Sequence, residues 1–318
     1  MVFIASLLPF AGASLLWFFL PDMAQLGWIN GVGQLVLFTL VVCIPAWRTG
    51  RLSYVDIGWP LGLALIGLVV LAFAQGVGWR KVIIGLIYLF MGLRMGIGAL
   101  KMWRAGYFKK EFPRYQYQRL RWERKGITNI RLMIQVEALV QGFANISFLA
   151  FPAFVIATNR SEQVHPLEVV GLLLWVAAFA TESVADAQKL AFLREMKRQN
   201  QTRKVCNVGL WRYSRHPNYF AEWMVWNALV IAAIPAWLDH HGRSPLAPWA
   251  LLGIGILYVS RVMYTTLVHY TGAKPAEHYS VQKRPEYQAY QQATNMFFPG
   301  PTRAAQLRAP GETGRPVE

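Results

Sequence analysis

Charge is scarce in this 318-residue chain, and acidic charge is scarcest. Only 15% of the residues are charged and 55% are hydrophobic, whereas a soluble globular domain carries roughly a quarter charged residues. That balance excludes an ordinary water-soluble fold. There are 16 acids against 32 Lys and Arg, for a net charge of +16. The basic residues sit in loops between apolar runs, where they face anionic lipid rather than nucleic acid, so no nucleic-acid partner is expected. Two cysteines, Cys43 in an apolar run and Cys206 in a basic loop, exclude a disulfide framework and read as free thiols. The six histidines do not cluster, and no H-E-x-x-H is present. No metal is therefore expected. G-x-G-x-x-G and Walker loops are also missing. Any nucleotide would have to be held by membrane helices and their loops.

What the chain does have is long apolar runs. A bilayer core needs about 20 apolar residues per helix, and eight segments qualify: 3–20, 29–47, 57–76, 82–100, 132–157, 167–188, 217–237 and 247–270. Of the 32 basic residues, 26 fall in loops on one side of the implied membrane and only Arg80, Lys81, Arg160 and Arg243 on the other. The positive-inside rule then puts both termini in the cytoplasm. The expected fold is an all-α integral membrane protein with a bundle of about eight transmembrane helices. The start "MVFIASLLPF" lacks a basic n-region and reads as a retained helix within residues 1–28. Residues 301–318, rich in Pro, Gly and charge, read as a disordered cytoplasmic tail.

Ionisable residues within spans are costly, and each is a functional candidate. Glu182, Asp186 and Lys189 share one helical face, as an interfacial ladder or as part of a site. Gln141 and Asn145 share another and suit helix–helix hydrogen bonds. Asp56 stands at a cytoplasmic mouth beside Tyr54, and Arg94 and Arg261 lie within spans.

The stretch "GLWRYSRHPNYFAEWMVW" (209–226) is the densest signal. Pro217 is suited to the first turn of a helix, where its missing N–H is not needed. Exposed amides at that helix start, with Arg203, Lys204, Arg212 and Arg215 just before it, form a natural phosphate site. Asn218, Glu222 and Trp226 then recur at i, i+4 and i+8 as one stripe.

This stretch resembles the signature of the steroid 5-alpha-reductase family, in its bacterial branch. "YVDIGWP", "RMGIGALKMWRAG", "FPRYQ", "TESVADAQKLAFLR" and "RPEYQAYQQATNMFFP" follow in the family's order, so the resemblance covers roughly 50–300. It implies a seven-helix membrane domain over 29–300, preceded by one extra helix, in a bacterial inner membrane. The implied activity is NADPH-dependent reduction of a C=C bond conjugated to a carbonyl in a lipid drawn from the bilayer, with no obligate protein partner. By the resemblance, Arg94, Glu182, Asp186, Arg203, Lys204, Asn218, Glu222, Trp226 and Arg261 contact the cofactor. Trp211, Tyr213, Arg215, His216 and Tyr219 of the motif complete the candidate cofactor set. The proton donor to the carbonyl oxygen falls to Asp56, with Tyr54 or Tyr88 replacing the family tyrosine, whose position here is Met91.

Two other classes remain open: an S-adenosylmethionine-dependent membrane methyltransferase sharing the helix motif, and a non-enzymatic lipid-binding membrane protein. The orientation is testable with reporters. Green fluorescent protein fused to the C-terminus should fluoresce, and alkaline phosphatase inserted beside Arg243 should be active. The reverse pattern would overturn the assignment.

Overall fold

The protein, described over residues 5–303 in a computed structural model, is an all-α integral membrane protein with no strand among the described residues. Its helices are α1 (Leu8–Ser14), α2 (Pro21–Thr49), α3 (Val55–Phe73), α4 (Gly78–Arg104), α5 (Pro113–Arg124), α6 (Ile130–Ile146) and α7 (Phe151–Thr158). They continue with α8 (Pro166–Arg198), α9 (Pro217–Asp239), α10 (Leu246–Thr265), α11 (Ala273–Lys283) and α12 (Tyr287–Ala293).

Among the described residues, seven helices are long and apolar enough to cross a membrane: α2, α3, α4, the stretch Ile130–Thr158, α8, α9 and the stretch beginning with α10. The first of the eight expected segments differs. Its described part is α1 followed by a 3-10 turn, Leu15–Phe19, together shorter than the about 20 residues a span requires. Pro21 then opens α2, so the boundary expected at residue 28 falls inside that helix. Of the expected tail, residues 304–318 lie outside the described residues.

Proline sets several helix starts, since its fixed φ suits the first turn: Pro21, Pro113, Pro166 and Pro217 each begin one. Asn129 caps α6 by accepting the Leu132 amide at 3.0 Å. The 33 residues of α8 make a helix of about 50 Å, longer than the hydrocarbon core it would cross.

The chain forms two compact units: Met1–Trp175 with Trp226–Met263, and Val176–Val225 with Tyr264–Glu318. In the first, α3 and α4 pack through small residues, because lipid supplies no hydrophobic drive between helices and close backbone contact must replace it. A Cβ on Gly92 would lie 2.3 Å from the Ala64 nitrogen and 2.5 Å from the Pro60 carbonyl oxygen.

Several polar side chains inside this unit bond to one another or to its backbone. Gln34 donates to Asn30 Oδ1 (3.0 Å) and to the Gly62 carbonyl (2.8 Å), Asn30 to the Asn145 carbonyl (3.1 Å), and Asn145 to the Trp59 carbonyl (3.1 Å). The Asn145 expectation thus holds. At one end of the unit, Glu111 accepts the Leu52 and Ser53 amides at 2.8 and 3.0 Å and pairs with Arg119 at 2.9 Å. At the other end, buried Arg80 pairs with buried Glu168 at 2.9 Å and donates to the Ser161 and Gln163 carbonyls. Cys43 and Cys206 are free thiols.

The α3–α4 contact can be tested. Gly92→Ala forces backbone apart and should cost about 1–3 kcal/mol. Gly98→Ala, on the same helix with nothing within 4 Å of the new methyl, should be neutral or slightly stabilising. Equal thermal midpoints for the two variants would mean the close approach is not tight.

Candidate functional site

The second unit is built around one buried ion pair. Arg215 donates to both Glu277 oxygens, at 2.7 and 3.1 Å, to the Gln291 carbonyl at 2.9 Å and to the Thr294 carbonyl. Its own amide donates to the Asn295 carbonyl at 2.9 Å. A guanidinium so fully engaged fastens the motif to α11 and the segment after α12. It is not free to grip a phosphate, as the sequence led us to expect.

His216 follows, buried, with Nε2 3.1 Å from Glu277 Oε1 and its ring stacked on Tyr219 at 5.3 Å. Burial pushes the imidazole below its ordinary value of 6.5 and outweighs the hydrogen bond to Glu277, which acts the other way. The neutral ring carries its proton on Nε2, since only that tautomer donates to the carboxylate.

Three further hydrogen bonds fix the approach to α9. The Leu210 amide donates to Gln188 Oε1 at 2.9 Å, Trp211 Nε1 to the Ala185 carbonyl at 2.9 Å, and the Tyr290 hydroxyl to the Trp211 carbonyl. Burial raises Tyr287 and Tyr290, so both phenols keep their protons. Pro217 then starts α9 as expected. Asn218, one residue on, donates to Asp186 of α8 at 3.1 Å, while its own Oδ1 is buried with no hydrogen-bond partner.

Between these elements of the unit lies a cleft of about 210 Å³, lined among others by Lys189, Trp211, His216, Asn218, Tyr219 and Arg284. The Lys189 ammonium stands 4.3 Å over the Trp211 ring. Arg284 donates to the Lys204 carbonyl (3.2 Å) and the Ser280 hydroxyl (3.0 Å). Among the described residues neither cation is paired with a carboxylate. The cleft therefore offers uncompensated positive charge, aromatic walls and a neutral imidazole, a setting for an anion attached to a planar or sugar-like body.

Of the expected cofactor residues, Trp211, Arg215, His216, Asn218 and Tyr219 line this cleft. Lys204 instead pairs with Glu286 at 3.0 Å, and Arg203 is exposed in a left-handed conformation (φ 64°). Tyr213 is exposed. Glu182 is buried on α8, and Glu222 is half-buried one turn beyond Asn218. Trp226 is buried in the first unit, edge-on to Tyr88 at 6.0 Å. Arg94, half-buried, and Arg261, exposed, also belong to the first unit and not to this cleft.

The proposed proton donors change more. Asp56 is held by Arg114 and accepts the Tyr115 hydroxyl at 2.5 Å. Burial, chiefly, raises Tyr115 and keeps it the donor, so Asp56 accepts at both of its oxygens, one from Arg114 and one from Tyr115. Tyr88 is fully buried and donates to the Leu149 carbonyl at 2.7 Å. Tyr54 lines a different groove. No group of three metal-binding side chains occurs among the described residues.

Sequence reasoning missed Arg284, Tyr287, Tyr290 and Glu277 as parts of this cleft or its frame. Glu277 carried a signal, being the only acid between Asp239 and Glu286 in a strongly basic chain.

A family model described as a protein of unknown function (DUF1295) matches residues 43–294, which include every residue lining the cleft. No curated protein matches the chain, and no solved structure does.

The neutral state of His216 makes a pH prediction. Because the folded ring resists protonation, its contribution is complete above 6.5 and is lost as pH falls below it, when the unfolded chain takes up the proton first. The thermal midpoint should fall between about pH 7 and 5. His216→Gln should flatten that fall, and an unchanged slope would remove His216 as its source.

Proposed function

The chain belongs to the family described as protein of unknown function (DUF1295), and we propose that it is a membrane-embedded, NADPH-dependent reductase. Its substrate would be a bilayer lipid carrying a C=C bond conjugated to a carbonyl. One observation carries this reading: the motif that resembles the steroid 5-alpha-reductase signature opens onto a cleft with two cations, Lys189 and Arg284, that no carboxylate neutralises among the described residues.

The residues fit a phosphate-bearing nucleotide. Lys189 and Arg284 supply charge for phosphate oxygens, Trp211 and Tyr219 supply faces for a ring or ribose, and the unpartnered Asn218 Oδ1 accepts a hydroxyl or amine. At about 210 Å³ the cleft is smaller than the roughly 300–1,000 Å³ of whole-ligand pockets, so it suits the phosphorylated end of a dinucleotide rather than all of it. S-adenosylmethionine, itself a cation, gains nothing from such a rim. When bound, the nicotinamide would supply hydride to the β-carbon.

The chain's own part is to hold the cofactor and to deliver a proton to the carbonyl oxygen, where negative charge develops. Asp56, engaged by Arg114 and Tyr115, would have to release both partners to take part. Tyr88 is the remaining candidate from the resemblance; its hydroxyl is fully buried and donates to the Leu149 carbonyl at 2.7 Å, a bond it would exchange for one to the substrate.

A thermal-shift titration of detergent-purified protein against NADPH, NADH and S-adenosylmethionine tests the reading. NADPH at 100 times its dissociation constant should stabilise by about 2.7 kcal/mol. Lys189→Gln or Arg284→Gln should weaken that binding about tenfold or more, as the loss of a charge-assisted contact implies. Stabilisation by S-adenosylmethionine alone would make the protein a methyltransferase, and silence from all three would favour a non-enzymatic lipid binder. Tyr88→Phe should abolish turnover while leaving the NADPH shift intact, and retained turnover would discard Tyr88.

A further inference from the structure

A second concavity lies in the first unit, where α4 ends and the chain turns toward α5. It is an open groove of about 520 Å³ lined by Arg51, Tyr54, Trp103, Arg104, Phe108 and Lys109, with Ala105 and Gly106 at its floor. Half of those six side chains are cationic. Among the described residues none of the three is paired with a carboxylate. The acids in the same stretch of chain are already engaged, Asp56 by Arg114 and Tyr115 and Glu111 by Arg119 and the Leu52 and Ser53 amides.

The Nε of Arg51 is buried and makes no hydrogen bond, although its Nη2 lies 3.5 Å from the Tyr54 hydroxyl. A guanidinium donor removed from water and left unsatisfied is destabilising unless a ligand supplies the acceptor.

The setting says what kind of ligand. The groove sits at the terminus of a spanning helix, and the last turns of α4 and the 3-10 turn that follows expose Met102, Trp103 and Tyr107. Trp and Tyr favour the headgroup level of a bilayer, with the ring in the apolar layer and its polar edge outward. Cations next to such aromatics meet phosphates tied to acyl chains, and a freely soluble anion would draw no benefit from the exposed apolar surface alongside. We propose that this groove is a binding site for the phosphate of an acidic phospholipid headgroup, with Arg51, Arg104 and Lys109 as its cationic ligands.

The site does not depend on the reductase reading, and its test needs no nicotinamide. Purified protein in detergent is mixed with equal amounts of phosphatidylglycerol and phosphatidylcholine, and the lipids retained are counted by native mass spectrometry. The wild type should keep phosphatidylglycerol preferentially. Arg104→Gln with Lys109→Gln should reduce that preference about tenfold or more. Arg124→Gln with Lys125→Gln, an exposed basic pair outside the groove, should leave it unchanged. Both double variants replace exposed side chains, and an unshifted thermal midpoint verifies that they fold. Equal losses in the two variants would mean diffuse attraction only, and a wild type without preference would mean no site; either overturns the proposal. Inorganic phosphate, added as a further arm, should leave the retained lipid in place. Its full displacement of phosphatidylglycerol at millimolar concentration would overturn the lipid assignment in favour of a soluble phosphate compound.

Discussion

A polar group enclosed by hydrocarbon or by protein has no water to turn to, and the architecture of this protein is organised around that constraint. Helices satisfy the backbone. Many of the side chains that remain are bonded to partners far away in the sequence. Asn30 and Gln34 bond to Asn145 and Gly62 in the middle of the first unit. Arg80 draws in Glu168 and two loop carbonyls at one end. Arg215 draws in Glu277 and the segment around Gln291–Asn295 in the second unit. Each of these bonds joins elements that lipid alone would not drive together, so polar satisfaction and helix docking are one process here.

The same constraint separates two kinds of basic residue that look alike in the sequence. Arg215 and Arg80 are buried and fully bonded; their work is structural. Lys189 and Arg284 reach the cleft without an acidic partner among the described residues, and that leaves their charge available to a ligand. The difference is set by where the few acids lie. With 16 acids to 32 bases, one-to-one pairing would leave half of the cations without an acid. Those that end up in concave places, in the cleft of the second unit and in the groove of the first, become sites for anions.

Much of the fold was legible in the sequence. Seven of the eight apolar segments are helices long enough to span, and Pro217 starts α9 where its ring geometry requires. The first segment stands apart: its described part is a short helix and a 3-10 turn, Leu15–Phe19, that ends before Pro21. The candidate site was legible in part. Trp211, His216, Asn218 and Tyr219 were found because they lie together in one motif. Arg284, Tyr287 and Tyr290 lie far beyond it in the sequence, and the Arg215–Glu277 pair and the Tyr290–Trp211 bond tie their segment to the motif. The surroundings of Asp56 were hidden for a related reason: its partners Arg114 and Tyr115 stand on another helix, and no local pattern announces that they arrive at its side chain.

The sequence by itself determined that this is a helical membrane protein, where its spans run, and that a basic, aromatic motif precedes one of them. Those properties follow from composition and from spacing along a single helix, which are local. Which cations are neutralised, which partners hold Asp56 and which side chains share a cavity were decided only by the tertiary structure. Pairing between charges depends on distances of a few ångströms across elements far apart in the chain, and nothing in the one-dimensional pattern specifies them.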